Sequence, residues 1–168
     1  MKIVLIGFMC SGKSKVGRIL AKKLGWSHYD TDQEVEKKTG QTIAHLINQK
    51  GEPAFRALER EAVQRLAGLD RCVISTGGGI PLNPENMEDL TKEGEVIWLR
   101  AKPETILKRA GNLRSRPLID PEDPLGSVRR RLSDREKAYS EASHAVDTDP
   151  LDPEEIATKI LSLLPSLT

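Results

Sequence analysis

Gly7, Gly12, Lys13 and Ser14 stand in the order G-x-x-x-x-G-K-S, within the stretch GFMCSGKS. This spacing suits a phosphate cradle. Glycines let backbone N–H groups turn inward around phosphate oxygens, and any side chain would block that approach. Lys13 would then reach the β- and γ-phosphates, and the Ser14 hydroxyl would bind Mg²⁺. The plainer reading is a glycine-rich turn with an accidental lysine. Context favours the cradle, because the run KIVLI precedes it as a strand and a helical pattern follows. Cys10 inside the loop raises a second chemistry, that of a thiolate nucleophile. A Cys-x₅-Arg loop would need arginine where Val16 stands, and no His or Asp stands beside Cys10 as a base. Cys10 therefore reads as a small residue tolerated in the loop.

A phosphoryl donor needs an acceptor and charge neutralisation. Asp30 and Asp32, in YDTD, are an ordinary turn pair when taken alone. Beside a phosphate loop, a carboxylate at a neighbouring strand end is where Mg²⁺ or an acceptor hydroxyl needs one. Alternation along an extended segment would put both on one side. Thr76 to Gly79, TGGG, reads either as a flexible turn or as a backbone wall open to a polar ligand. Arg109, Arg114 and Arg116 flank or lie in a long loop, where a closing lid could use them against developing negative charge. Arg56, Arg135 and the run Arg129 to Arg131 read from pattern as helix-surface arginines. His28, His45 and His144 lack ligand spacing, so no zinc site is expected.

These residues need elements to position them. Lys2 to Ile6 reads as a buried strand. Val16, Ile19, Leu20 and Leu24 give the next helix one face, and Gly25 stops it. WSHYD reads as a short strand ending near Asp30. Residues 32 to 69 read as helical, interrupted around Gly40 and Gly51, with Pro53 near a helix start. RCVIST and EVIWLRA read as further strands, Pro103 opens a helix, and Asp152 with Pro153 begins the last one. Strands alternating with amphipathic helices imply a doubly wound α/β fold with a parallel sheet. Ligands then bind beyond the strands' carboxyl ends, where Gly7, Asp30 and Gly77 would meet. Residues 111 to 127, with three prolines, read as a long functional or mobile loop.

The chain has 168 residues, 38% of them hydrophobic and 30% charged, which suits one globular domain. A net charge of +1 gives no global pull toward nucleic acid or an anionic membrane. The first apolar run is too short for a secretion signal or a membrane span. Two cysteines, Cys10 and Cys72, make no disulfide framework, so a cytoplasmic home is expected. A GTPase is disfavoured because no Asn-Lys-x-Asp motif occurs. The residues alone point to a small phosphotransferase and leave its acceptor open.

The ordered set GFMCSGKS, YDTD, FR at 55 to 56, STGGG, RPLI at 116 to 119, REKAY at 135 to 139 and VDTDPLDPEEIATKIL resembles the shikimate kinase family along essentially the whole chain. That resemblance implies a P-loop NTPase-like, three-layer α/β/α fold of the nucleoside monophosphate kinase kind. It would form a single domain, with a mobile lid at about 111 to 124 and an acceptor-binding helical region at about 31 to 60. It implies transfer of the γ-phosphate of ATP to the 3-hydroxyl of shikimate, with one Mg²⁺, on the route to aromatic amino acids. The ATP side would comprise Gly7, Cys10, Ser11, Gly12, Lys13, Ser14 and Lys15, with Arg109, Arg116, Asp149 and Pro150. The resemblance places Asp30 with Ser14 at the metal, Asp32 on the acceptor hydroxyl, Arg56 and Arg135 on the shikimate carboxylate, and Gly77, Gly78 and Gly79 along its pocket. Lys13, Asp32 and Arg116 would be the catalytic groups. The chain departs from the family pattern at Cys10, where glycine is frequent, at Lys15, where threonine is common, and before Tyr139, where Pro-Leu is usual.

Two other readings remain beside this one. A gluconate-kinase-like enzyme also takes a carboxylated alcohol. A nucleotide-binding regulator would share the phosphate loop but would not need an acceptor-side carboxylate. ATP and the acceptor are the expected partners, with neither nucleic acid nor membrane, and a monomer is the default.

Overall fold

The structure is a computed structural model that describes residues 1–113, 116 and 118–164. Five parallel strands form its centre, in the spatial order β2-β3-β1-β4-β5. They are β1 (Lys2–Ile6), β2 (Ser27–Asp30), β3 (Cys72–Ser75), β4 (Gly94–Arg100) and β5 (His144–Asp147). Val4 of β1 lies between Ile74 of β3 and Val96 of β4. The helices are α1 (Lys13–Leu24), α2 (Thr31–Thr39), α3 (Ile43–Lys50), α4 (Glu52–Ala67), α5 (Pro84–Thr91), α6 (Pro103–Ala110), α7 (Pro124–Tyr139) and α8 (Pro153–Leu163). No helix among the described residues is long and apolar enough to cross a membrane.

The pleat of β1 explains the three layers. Ile3 and Leu5 point to one face, where Val16 and Leu20 of α1 and Ile156 and Ile160 of α8 cover them. Val4 and Ile6 point to the other, against Val63 and Leu66 of α4, Leu90 of α5, Ile106 of α6 and Val128 and Tyr139 of α7. A central strand covered on both faces reads as an unbroken apolar run. A small third cluster, Val35, Leu46, Phe55 and Ala62, joins α2, α3 and α4 beside the sheet.

Local chemistry sets the ends of these elements. Gly25 closes α1 in the left-handed region at φ 66°. Asp152 and Glu155 form a capping box at α8. The 111 to 127 loop reading is too long. α7 begins at Pro124, capped by the Asp123 side chain, and Ser127 and Val128 are already buried. Proline fits a first helical turn, so its presence there did not mark a loop. The sequence reading had not named α5 or the edge strand β5. β5 is four residues long and only Val146 within it is buried, so its pattern is weak.

Candidate active site

The phosphate loop runs from the end of β1 into α1. Gly7 has φ 145°, and a β-carbon there would lie 2.5 Å from the carbonyl oxygen of Leu99. No other residue type fits that approach. Gly12, at φ 95°, leaves the space over the first turn of α1 open. Cys10 is held at φ 61°, which costs a residue with a β-carbon some backbone strain. Ser11 is buried and Lys15 is exposed.

Lys13 is buried and folds back into the loop. Its Nζ donates to the carbonyl oxygens of Gly7 at 2.8 Å and Phe8 at 2.7 Å. Burial lowers its pKa to about 8, against the pull of Asp32 and Asp30. The Ser14 hydroxyl donates to Asp30 Oδ2. Asp30 Oδ1 accepts the N–H of Asp32 at 3.0 Å and of Gln33 at 3.3 Å. Asp30 thus caps α2, which corrects the extended-strand expectation for the pair. The strand stops at Asp30, and Asp32 lies in the first turn of the helix. Asp32 still faces the site, with Oδ1 buried and unpartnered. Burial, then the charge of Asp30, raises its pKa to about 6 in spite of Lys13.

A cavity of about 370 Å³ opens beside Asp32. Arg56, Arg116, Arg135 and Gly77 to Gly79 line it, together with the apolar Met9, Ile43, Phe55 and Leu118. Arg116 Nε is buried without a partner. Arg114, Ser115 and Pro117 lie outside the described residues.

The surface reading of Arg135 is overturned. It is 3% exposed, and its guanidinium lies 5.1 Å from the centre of the Phe8 ring. Arg56 is half-buried, with Nη1 on Glu59 and Nη2 on Glu52 at 2.9 Å. The triple glycine is a wall and not merely a turn. A β-carbon at Gly77 would meet Glu59 Oε2 at 2.7 Å and Asp32 Oδ1 at 2.9 Å. At Gly79 it would overlap the Arg56 guanidinium at 2.3 Å. The Gly77 N–H donates to the Thr31 hydroxyl at 2.8 Å, which ties this wall to α2.

Two buried polar positions that contact the site's residues escaped the sequence reading. Glu59 is 1% exposed, one of its oxygens is unpartnered, and burial raises its pKa to about 7 despite Arg56. The signal was present, because Glu59 interrupts the apolar stripe Phe55, Ala62, Val63 and Leu66 on α4. A charge on a buried face calls for a partner. Tyr139 is fully buried and its hydroxyl donates to the Gly78 carbonyl at 2.6 Å.

On the far side of the phosphate loop, Arg109 Nη1 reaches the Cys10 carbonyl at 3.4 Å and the Thr148 hydroxyl at 3.5 Å. The Asp149 carboxylate accepts the Lys102 N–H at 3.1 Å and the Thr105 hydroxyl. It therefore anchors the segment that enters α6, and with Pro150 it lines a separate hollow alongside Arg100 and Ala101. The run at 129 to 131 divides. Arg129 and Arg130 are exposed and paired with Glu104 and Asp123, whereas Arg131 is partly buried beside Arg135, Glu52 and Arg56.

Among known proteins, the family model described as shikimate kinase matches residues 9–165. A shikimate kinase of Thermodesulfovibrio yellowstonii is 42% identical over 95% of this chain and 92% of its own. One of Symbiobacterium thermophilum is 44% identical over 98% of this chain and 96% of its own. The solved shikimate kinase of Acinetobacter baumannii in complex with shikimate superposes with a TM-score of 0.94. It is 36% identical and covers 98% of this chain and 93% of its own. A deoxyadenosine kinase from M.mycoides with bound dATP is 18% identical with a TM-score of 0.65, and it shares the fold alone. A phosphate loop, a carboxylate opposite it and two arginines beyond thus occur in a chain that belongs to the shikimate kinase family.

Proposed function

We propose that this chain transfers the γ-phosphate of ATP to the 3-hydroxyl of shikimate, giving shikimate 3-phosphate on the route to aromatic amino acids. One observation carries the reading. A single cavity has the unpartnered oxygen of Asp32 in its wall and the guanidinium groups of Arg56 and Arg135 along it. A small ring with a carboxylate and a reactive hydroxyl matches that arrangement. The arginines grip the carboxylate, which fixes the ring and turns one hydroxyl to Asp32. Asp32 orients that hydroxyl and takes its proton as the new O–P bond forms and the bond to the β-phosphate oxygen breaks. Lys13 turns from the loop carbonyls to the transferring phosphoryl group, and Arg116 covers it from the lid at 111 to 124. The helical region at 31 to 60 forms the acceptor wall.

The metal reading is supported by donor chemistry. The Ser14 hydroxyl and Asp30 Oδ2 meet as two hard oxygens, a set that suits Mg²⁺. Bound there with ATP, the ion would neutralise charge on the β- and γ-phosphates. Gly7 to Lys15 hold the phosphates, while Arg109, Asp149 and Pro150 flank the base. We read the chain as a monomer, and the free Cys10 and Cys72 suit a reducing cytoplasm.

The test is a coupled ADP-release assay with Mg·ATP and shikimate, quinate, gluconate or no acceptor. Shikimate should give the highest kcat/KM. Asp32→Asn should lower turnover by about 10²-fold or more while ATP still binds. Preference for gluconate, acceptor-independent ADP release, or near-normal turnover of Asp32→Asn would sink the reading.

A further inference from the structure

Arg56 is already occupied. Its Nη1 donates to Glu59 and its Nη2 to Glu52, so each terminal nitrogen carries a carboxylate. Its guanidinium lies against Gly79, where a β-carbon would come within 2.3 Å of Nη1. Each terminal nitrogen keeps a second N–H, but a carboxylate arriving on Nη2 would lie beside the Glu52 carboxylate already bonded there, and the two like charges would repel.

The two glutamates are not equivalent. The Glu59 side chain is 2% exposed, and its second oxygen faces Gly77 and Asp32. Removing it from Arg56 would strand a buried charge. The Glu52 side chain is 41% exposed and pairs with Arg56 across one helical turn. It can return to water at little cost, because its carboxylate is already partly solvated. It also stands at the first residue of α4, where the helix dipole favours a free carboxylate. Arg131 of α7 is close enough to feel the charge of Glu52.

We infer that Glu52 competes with the acceptor's carboxylate for Nη2 of Arg56, and so sets how tightly the free chain takes its acceptor. The idea rests on the proposed carboxylated acceptor. Glu52 holds Arg56 oriented while the cleft is empty and weakens binding by the strength of the exchange. Glu59 stays in place and keeps the guanidinium aimed.

Glu52→Gln keeps the length and hydrogen-bonding capacity of the side chain and removes its charge. It should lower the KM for shikimate, and its Kd measured by calorimetry without ATP, by about threefold. The kcat and the KM for ATP should not change. The same ring with a hydroxymethyl group in place of the carboxylate should bind both proteins equally weakly. A shikimate KM that is unchanged or raised in Glu52→Gln overturns the inference, as does an equal gain for the hydroxymethyl analogue. If the unsubstituted chain phosphorylates no shikimate, the functional reading fails and this inference falls with it. If that turnover is normal and Glu52→Gln has no effect, the inference alone is lost.

Discussion

Arg135 and Tyr139 stand one turn apart on α7 and both come up against the same residue, Gly78. The Tyr139 hydroxyl donates to the Gly78 carbonyl at 2.6 Å, and a β-carbon on Gly78 would lie 3.0 Å from Arg135 Nη1. Packing of the tyrosine ring against Trp98, with ring centres 5.7 Å apart, keeps this face of α7 in register with the sheet. The glycine wall is thus held from a helix some sixty residues further along the chain.

Tyr139→Phe removes that donor and leaves the ring. A buried carbonyl without a partner costs about 1–3 kcal/mol, so urea unfolding should show a loss in that range. The wall should loosen, raising the KM for shikimate more than that for ATP. Unchanged stability would mean that the Gly78 carbonyl finds another donor.

Gly79→Ala tests the opposite balance. The backbone of Gly79, at φ −93°, accepts alanine, but the new methyl would overlap the Arg56 guanidinium. That guanidinium is the end of a flexible side chain and can move. Stability should therefore stay within about 1 kcal/mol, while shikimate KM rises about tenfold or more. A large loss of stability with an unchanged KM would show that the backbone moved and Arg56 did not.

Glu59 makes stability depend on pH. Its carboxyl ordinarily titrates near 4.5, and burial in the folded chain raises it to about 7. Between those values the folded state binds more protons than the unfolded one, so stability falls as pH rises. Asp32, raised to about 6, acts in the same direction over a lower window. Urea unfolding should show the chain less stable at pH 8 than at pH 5, by an amount on the order of 1–3 kcal/mol. Glu59→Gln should flatten that decline. Parallel slopes for the two proteins would exclude Glu59 as its source.

Cys10 should matter through its backbone and not its thiol. At φ 61° glycine is at ease, and a β-branched residue is strained most. Cys10→Gly should keep turnover and remain within about 1 kcal/mol of the parent in stability. Cys10→Val should lose more than about 1 kcal/mol and slow the reaction, because the loop carbonyls that hold Lys13 would shift. Loss of turnover in Cys10→Gly would restore a chemical role to the sulfur.

What the sequence determined by itself was local. Lys2 to Ile6 had to be a doubly covered strand because five buried residues run together. Gly7 and Gly12, spaced before Lys13 and Ser14 and set between a strand and a helical pattern, favoured a phosphate loop over a plain turn. Asp152, Pro153 and Gly25 mark helix ends through chemistry confined to a few neighbouring residues. Beside the phosphate loop, Asp30 and Asp32 suggested a metal or acceptor carboxylate, but the carboxylate clamp assigned to Arg56 and Arg135 came only from family resemblance. From pattern, the two arginines looked like surface residues. Arg135 is buried only because α7 crosses the carboxyl edge of the sheet onto Phe8 and Gly78. Glu59 becomes part of the site only because Gly77, from another strand end, has no side chain to fill the gap beside it. Helix faces are set by a period of 3.6 residues, which tells which side is buried but not what is found there. That second fact depends on contacts between segments distant in sequence, and in this chain those contacts bring Arg56, Arg116, Arg135 and Asp32 around one pocket.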